Sequence, residues 1–215
     1  MTLFLYEITP SAEQQTDPSA LIDSIASTLA GSGAEVIETQ VTKGASRVFT
    51  IIELPDDENG ACAVEAPALD ASAIGAAEVT EPAQVRLVGT DLETIKAARP
   101  EAGYLVEWDI PAEIDMDTYL TRKKEKSPKY AEIPEVSFLR TYVREDTDKC
   151  LCFYNAPDTD AVVRAREIVS TPISRLHELA SATPRPTPSP TTSGLPGPGS
   201  PPVSSAVSTW RVSSR

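Results

Sequence analysis

The chain has 215 residues, with 19 basic and 32 acidic side chains and a formal charge of −13. That length gives one large domain or two small ones, enough to bury a core without disulfide or metal staples, and the acidic balance argues against a surface for nucleic-acid phosphates. No run approaches the ~20 apolar residues of a membrane span, and the start, Met1 to Tyr6, lacks the basic region of a secretory signal, so the expected location is the cytoplasm, with Cys62, Cys150 and Cys152 as reduced thiols.

The first hundred residues predict a strand over Leu3 to Ile8. Asp17 and Pro18 then start a helix carrying Leu21, Ile22, Ile25 and Leu29, which Gly31 ends. Ala34 to Thr42 and Arg47 to Leu54 read as strands paired across Lys43-Gly44. Residues 56–80 are acidic and Ala-rich, with a second helix expected around Ala71 to Ala77. Gln84 to Val88 is the next strand, and Asp91 to Arg99 is a linking helix that Pro100 ends.

The stretch from Gly103 to Leu179 is more legible. Tyr104 to Ile110 is a strand closed by Pro111. Asp115 or Asp117 caps a helix with Met116, Tyr119 and Leu120 on its apolar side. Val136 to Val143 and Cys150 to Tyr154 are strands joined by the polar turn Arg144 to Asp148. Asp158 caps a helix whose stripe is Ala161, Val162, Ala165, Ile168 and Val169; Pro172 stops it, and Ser174 to Leu179 is the last strand. The order is β-α-β-β-α-β, the ferredoxin-like arrangement, and the first hundred residues follow it more loosely. Leu5-Tyr6-Glu7 aligns with Leu105-Val106-Glu107 at a period near 100. The expected architecture is therefore α+β: tandem ferredoxin-like repeats of the dimeric α/β-barrel type, over residues 1–90 and 103–179, with residues 91–102 as linker. Residues 180–215 hold 8 of the 19 prolines, three arginines and no acid, a composition that predicts a disordered tail.

The segment from Gly103 to Leu179 also resembles a known family: the small bacterial domains typified by a nickel-binding protein, most of whose members have no assigned function. The resemblance is carried by Tyr104-Leu105-Val106-Glu107, by Phe138 to Val143 with Asp146, by Cys152-Phe153-Tyr154-Asn155-Ala156-Pro157-Asp158, by Ala161 to Arg164 and by Pro172. It implies a ferredoxin-like domain that pairs sheet to sheet, here with the first repeat as its internal partner in a monomeric pseudo-dimer, or with a second copy in a homodimer. It also implies divalent metal, nickel in particular, as the cofactor, although the position of the family's helix histidine is Ala165 in this chain.

Strand alternation sorts the second repeat into two faces. Val106, Trp108, Leu139, Thr141, Val143, Leu151 and Phe153 are expected to face the helices. Glu107, Arg140, Tyr142, Cys150, Cys152, Tyr154 and His177 are expected on the opposite face. Covered by another sheet, Glu107, Arg140, Tyr142, Cys152 and Tyr154 would line one pocket for a small polar ligand or ion, or Glu107 and Arg140 would form a buried ion pair. Cys150 and Cys152, with His177, are the candidate metal ligands, since thiolate and imidazole suit soft divalent ions. A reactive cysteine would need a neighbouring cation, with Arg140 or His177 as candidates. The basic run Arg122-Lys123-Lys124-Glu125-Lys126 reads as the solvated face of a helix. No phosphate loop, nucleophile elbow or dinucleotide fingerprint is present.

These readings lead to a non-catalytic binding protein for a divalent metal such as nickel or a small polar ligand. The alternatives are an isomerase-like enzyme with Glu107 as base, and an interaction module without ligand. The expected partners are a small ligand or metal ion, with no nucleic acid and no membrane.

Overall fold

Long stretches of this chain are apolar at successive positions rather than alternate ones, and the architecture explains why. The computed structural model describes residues 1–58, 62–98 and 100–180. In chain order they form β1 (Thr2–Thr9), α1 (Ser19–Ala30), β2 (Glu35–Val41), β3 (Val48–Leu54), a short β4 (Glu78–Val79), β5 (Ala83–Val88) and α2 (Leu92–Ala98). There follow β6 (Tyr104–Asp109), α3 (Met116–Lys126), a 3-10 turn (Ser127–Glu132), β7 (Ser137–Arg144), β8 (Lys149–Asn155), α4 (Thr159–Ile168) and β9 (Arg175–Glu178). The fold is mixed α+β. The expected disordered tail lies outside the described residues.

One sheet runs in the order β2-β3-β1-β5-β7-β8-β6-β9, with β4 beside β1, and every pairing between these strands is antiparallel. The order β7-β8-β6-β9 is the ferredoxin-like one for β6-α3-β7-β8-α4-β9. The order β2-β3-β1-β5 repeats it on the other side of the β5–β7 pairing. The two outermost strands also meet. A bridge joins Thr42 to Leu179, the Lys43 amide donates to the Glu178 carbonyl at 2.7 Å, and the Ala180 amide donates to the Val41 carbonyl at 2.8 Å.

Apolar burial occurs on both faces of the sheet. On one face, α1 packs Leu21, Ile25 and Leu29 against Tyr6, Ile8, Val48 and Ile52. Further along, α3 and α4 bring Tyr119, Ala161, Val162 and Ala165 onto Val106, Trp108, Val143, Cys150 and Cys152. On the other face, Leu5, Phe49 and Ile51 meet Leu105, Tyr142, Leu151 and Phe153. All seven positions of β3 are buried as a result. The helices begin at the anticipated caps, where the Asp115 carboxylate accepts from the Thr118 amide at 2.8 Å and that of Asp158 from the Ala161 amide at 2.7 Å.

Two local expectations are corrected. Residues 71–75 form turns, not a helix. Gly75 stands at φ +73°, a left-handed conformation that ends any helical run, and Leu69 and Ile74 plug the α1 core, with Ala66 and Ala76 packed beside it. The second correction concerns β8, whose faces are the reverse of those expected. Cys152 lies directly opposite Val106 on β6 and Thr141 on β7, and cross-strand partners share a face. Cys150, Cys152 and Tyr154 therefore face the helices, and Leu151 and Phe153 face inward. Leu139 also packs with the inward core, re-aimed by the register shift between Phe138 and Arg140.

Candidate active site

The five residues expected to share a pocket are divided by the sheet. Glu107, Arg140 and Tyr142 lie on the inward face, whereas Cys152 and Tyr154 lie under the helices. Nor do Glu107 and Arg140 pair with each other. Arg140, 1% exposed, donates from Nε to Glu38 at 2.8 Å and again from Nη2, while the Tyr142 hydroxyl donates to the same carboxylate at 2.5 Å. Glu107 is fully buried and is met by His177 Nε2 at 2.7 Å, Arg175 Nε at 3.0 Å and Lys149 Nζ at 3.1 Å. Burial alone would raise its carboxyl pKa, but the His177 and Arg175 hydrogen bonds and the Lys149 charge hold it well below the usual range. Lys149 also binds Glu7 at 2.9 Å. Glu7 and Glu107, which stand 100 residues apart in sequence, thus converge on one ammonium. These inward groups form ion pairs within the sheet, with Glu107 Oε2 held by the Lys149 charge without a well-formed hydrogen bond.

The metal candidates separate in the same way. Cys150 and Cys152 face the helices and His177 faces Glu107. Ala165 is fully buried in the helix-side core. Among the described residues, no group of three or more His, Cys, Asp or Glu side chains is arranged to hold a metal ion.

The chemistry-bearing cluster lies instead in a cavity of about 250 Å³ between α3, the 3-10 turn, α4 and the sheet. Its floor is β8. Cys150 and Cys152 are both free thiols; two residues apart on a strand, they point the same way, with sulfurs 3.8 Å apart. The Cys152 sulfur is approached by Thr141 Oγ1 at 3.3 Å, Arg166 Nη1 at 3.6 Å and Lys123 Nζ at 4.0 Å. The Cys150 hydrogen bond, with the charges of Lys123 and Arg166 and the Thr141 hydroxyl, lowers the Cys152 pKa well below that of a free thiol, against the opposing effect of burial. The same bond from the other side, with burial, raises Cys150. Negative charge is therefore favoured on the Cys152 sulfur over that of its neighbour.

The walls carry Trp108, Tyr119 and Tyr130, with Phe138 and Tyr154 packed against Tyr130. The Tyr154 hydroxyl accepts from Arg166 Nη1 at 3.2 Å and lies 2.8 Å from that of Tyr130. Lys123 sits 4.0 Å over the Phe138 ring, which stacks on Tyr130 at 5.2 Å, so its ammonium is held from two sides. Two buried polar atoms bordering the cavity, Tyr119 Oη and Arg166 Nε, have no well-formed hydrogen bond. Such atoms are costly unless something else satisfies them.

Arg166 was not among the residues singled out from the sequence, and Lys123 was read only as part of a solvated basic run. The signal was present in the spacing. Lys123 follows the buried Tyr119 by four residues, and Arg166 follows the buried Val162 by four, so each lies on the inner stripe of its helix. The basic run is therefore not wholly a solvated face. The cations expected beside a reactive cysteine, Arg140 and His177, are both on the inward side.

With strand order, helix placement and the Tyr154–Asp158 corner in view, the relationship of the second half is decided. Residues 104–179 match the family described as Nickel responsive protein SCO4226-like. The match confirms the resemblance over that segment, about a third of the chain. No curated protein matches the chain. Among solved structures, a provisionally named chlorite dismutase aligns at 13% identity and a TM-score of 0.49 over 84% of this chain and 95% of its own. Two provisionally named monooxygenases align less closely. The one from Lactobacillus acidophilus has 10% identity and a TM-score of 0.44 over 85% of this chain and 94% of its own. The one from Fusobacterium nucleatum has 14% identity and a TM-score of 0.43 over 85% and 92%.

The expectation of a non-catalytic binding protein with its ligand on the inward sheet face is corrected, as is the isomerase-like alternative with Glu107 as base. The sheet-face pocket around Glu107, on which both of these rest, is filled by ion pairs and apolar packing. The cavity lies on the other side of the sheet. Among the described residues, no helix is long and apolar enough to cross a membrane.

Proposed function

We propose that the protein is a thiol-dependent enzyme, with Cys152 as the nucleophile in the helix-side cavity and a small electrophile as its substrate. One observation carries this reading: two cationic side chains and a hydroxyl are directed at a single buried sulfur that borders open space. A structural cysteine needs no such partners, whereas a nucleophilic one needs its thiolate stabilised. Lys123 and Arg166 would also stabilise negative charge as it develops on a leaving atom, and the aromatic walls exclude bulk water. The small volume restricts the substrate to a few heavy atoms near the sulfur.

The test is alkylation by iodoacetamide at mildly acidic pH, where an ordinary thiol is almost wholly protonated. Cys152 is expected to react well ahead of Cys62, and Cys152→Ser to lose that phase. If Cys152 reacts no faster than a free thiol, the proposal fails.

The finer architecture belongs to the same reading. We take residues 1–90 and 103–179 as two ferredoxin-like repeats joined by residues 91–102, folded against each other as a dimeric α/β-barrel within one chain. The repeated strand order, the Thr42–Leu179 bridge and the shared Lys149 support it. A monomer in light scattering is the expected result; an obligate dimer would overturn it. Free thiols of this kind suit a reducing cytoplasm, which is the location we assign.

A further inference from the structure

The paired sulfurs give the site a second capability. Resting on the reading of Cys152 as a nucleophile, we propose that its substrate is a small hydroperoxide and that Cys150 completes the reaction, so that the two thiols cycle through a disulfide.

Three features point this way. Cys150 and Cys152 are each only 1% exposed, yet both border the cavity, an arrangement that admits a molecule of a few atoms and excludes bulky electrophiles. Their sulfurs stand 3.8 Å apart on the same side of β8; because the strand holds the two Cβ atoms roughly 6.5 Å apart, against the ~3.5–4.5 Å that a disulfide spans, closing the bond requires β8 to bend locally. Alternate residues of a strand have Cα atoms roughly 6.5 Å apart, near the upper end of the separations that disulfides span. A bond formed there is strained and easily reduced, the property of a catalytic rather than a structural disulfide. The cluster also supplies the charge needed. An oxygen leaving from Cys152 emerges among Lys123, Arg166 and the orphaned Tyr119 hydroxyl.

The steps balance. The Cys152 thiolate attacks the terminal oxygen of ROOH; the S–O bond forms, the O–O bond breaks, and RO⁻ leaves and takes a proton from water through the Lys123 ammonium. Cys152 is then a sulfenic acid. The Cys150 sulfur attacks it, the S–S bond forms, and the hydroxyl departs with the Cys150 proton as water. An external dithiol reduces the disulfide and is itself oxidised. The sum is ROOH plus dithiol giving ROH, water and the oxidised dithiol.

The experiment uses the full chain carrying Cys62→Ser, which removes the remaining thiol, a residue outside the cavity. The reduced protein is treated with one equivalent of hydrogen peroxide and its intact mass is read. The expected result is loss of two hydrogens, restored by dithiothreitol, at a rate at least about tenfold above that of free cysteine at the same pH. Adding Cys150→Ser should leave a sulfenic acid on Cys152, read as the gain of one oxygen in the intact mass, and adding Cys152→Ser should abolish both products. Rapid iodoacetamide labelling of Cys152 without accelerated peroxide reaction overturns the hydroperoxide proposal and leaves the nucleophile intact. Peroxide oxidation that stops at the sulfenic acid when Cys150 is present overturns the role of Cys150. Absence of both reactions removes the underlying reading as well.

Discussion

Lys123 holds its ammonium 4.0 Å from the Cys152 sulfur, reaching it from a helix whose other basic residues line the rim of the cavity or point outward. The contact joins a charge supplied by α3 to a nucleophile supplied by β8, and Thr141 Oγ1, 3.0 Å from the same nitrogen, fixes its position.

Replacing that charge tests the contact. Lys123→Met keeps most of the aliphatic stem and removes the cation, so the Cys152 thiolate loses part of its stabilisation. The midpoint of the alkylation rate against pH should move upward by about one unit, equivalent to about 1.4 kcal/mol, with Arg166 supplying the remainder. An unchanged midpoint would show that Lys123 does not act on the sulfur.

The same ionisation links stability to pH. Cys152 is held below its unfolded value of about 8.5, so its contribution is fully present above that value and is lost as pH falls toward the folded pKa. Cys150 is held above it and has the opposite effect, its contribution disappearing as pH rises beyond the unfolded value. Chemical denaturation across this range should show a local stability maximum near pH 8.5 that Cys152→Ser flattens on its acidic side.

Glu107 governs a separate window. Its carboxyl is held down by His177, Arg175 and Lys149 against burial, so the stabilisation is present above the unfolded value of 4.5 and is lost as pH falls below it. Glu107→Gln removes the charge shared by His177, Arg175 and Lys149, of which Lys149 keeps Glu7 and Arg175 keeps Asp109, and should cost about 1–3 kcal/mol at neutral pH. The acid-unfolding curve of this variant should be flatter than that of the parent. A variant of parental stability with the same acid limb would contradict the ion-pair assignment.

Glu38 and Arg140 lie 102 residues apart in sequence and pair in a nearly dry setting, with side-chain exposures of 9% and 1%. Arg140→Met leaves the Glu38 charge with the neutral donors Tyr142 and Gln40 and no cation, a loss of about 3–5 kcal/mol by urea titration. Adding Glu38→Leu should recover most of it. If the double variant is as unstable as the single one, the pair is not the source of the effect.

Gly89 stands at φ +98°, and a Cβ built there would come within 2.9 Å of the Phe138 ring. Gly89→Ala therefore combines an unfavourable backbone with a clash and should cost about 1–3 kcal/mol. Because Phe138 stacks on Tyr130 in the cavity wall, the substitution should also slow alkylation of Cys152. Parental stability would refute the steric argument.

The order of strands and helices in the second half was legible because each boundary carries a local chemical sign, such as Asp115, Asp158 and Pro111. The faces of β8 were not. Alternation places Cys150, Cys152 and Tyr154 together but does not say on which side, and here both sides are apolar, so Leu151 and Phe153 suit one as well as the other. The deciding information is register, Cys152 opposite Val106, a long-range property of the sheet. Arg166 was hidden for a related reason. Its charge suggests solvent, but its position within a buried stripe is decisive, and that weighs more once the sulfur and phenol it serves are known to lie beneath it.

The meeting of Thr42 with Leu179 has a consequence beyond the fold itself. The outermost strands of an open sheet present unpaired amides and carbonyls that recruit other chains. Here the Lys43 and Ala180 amides and the Glu178 and Val41 carbonyls at that margin are already committed to one another, and Lys43 and Glu178 add opposite charges across the join. At this margin the molecule is its own neighbour, and it carries there a built-in defence against adhesion between copies.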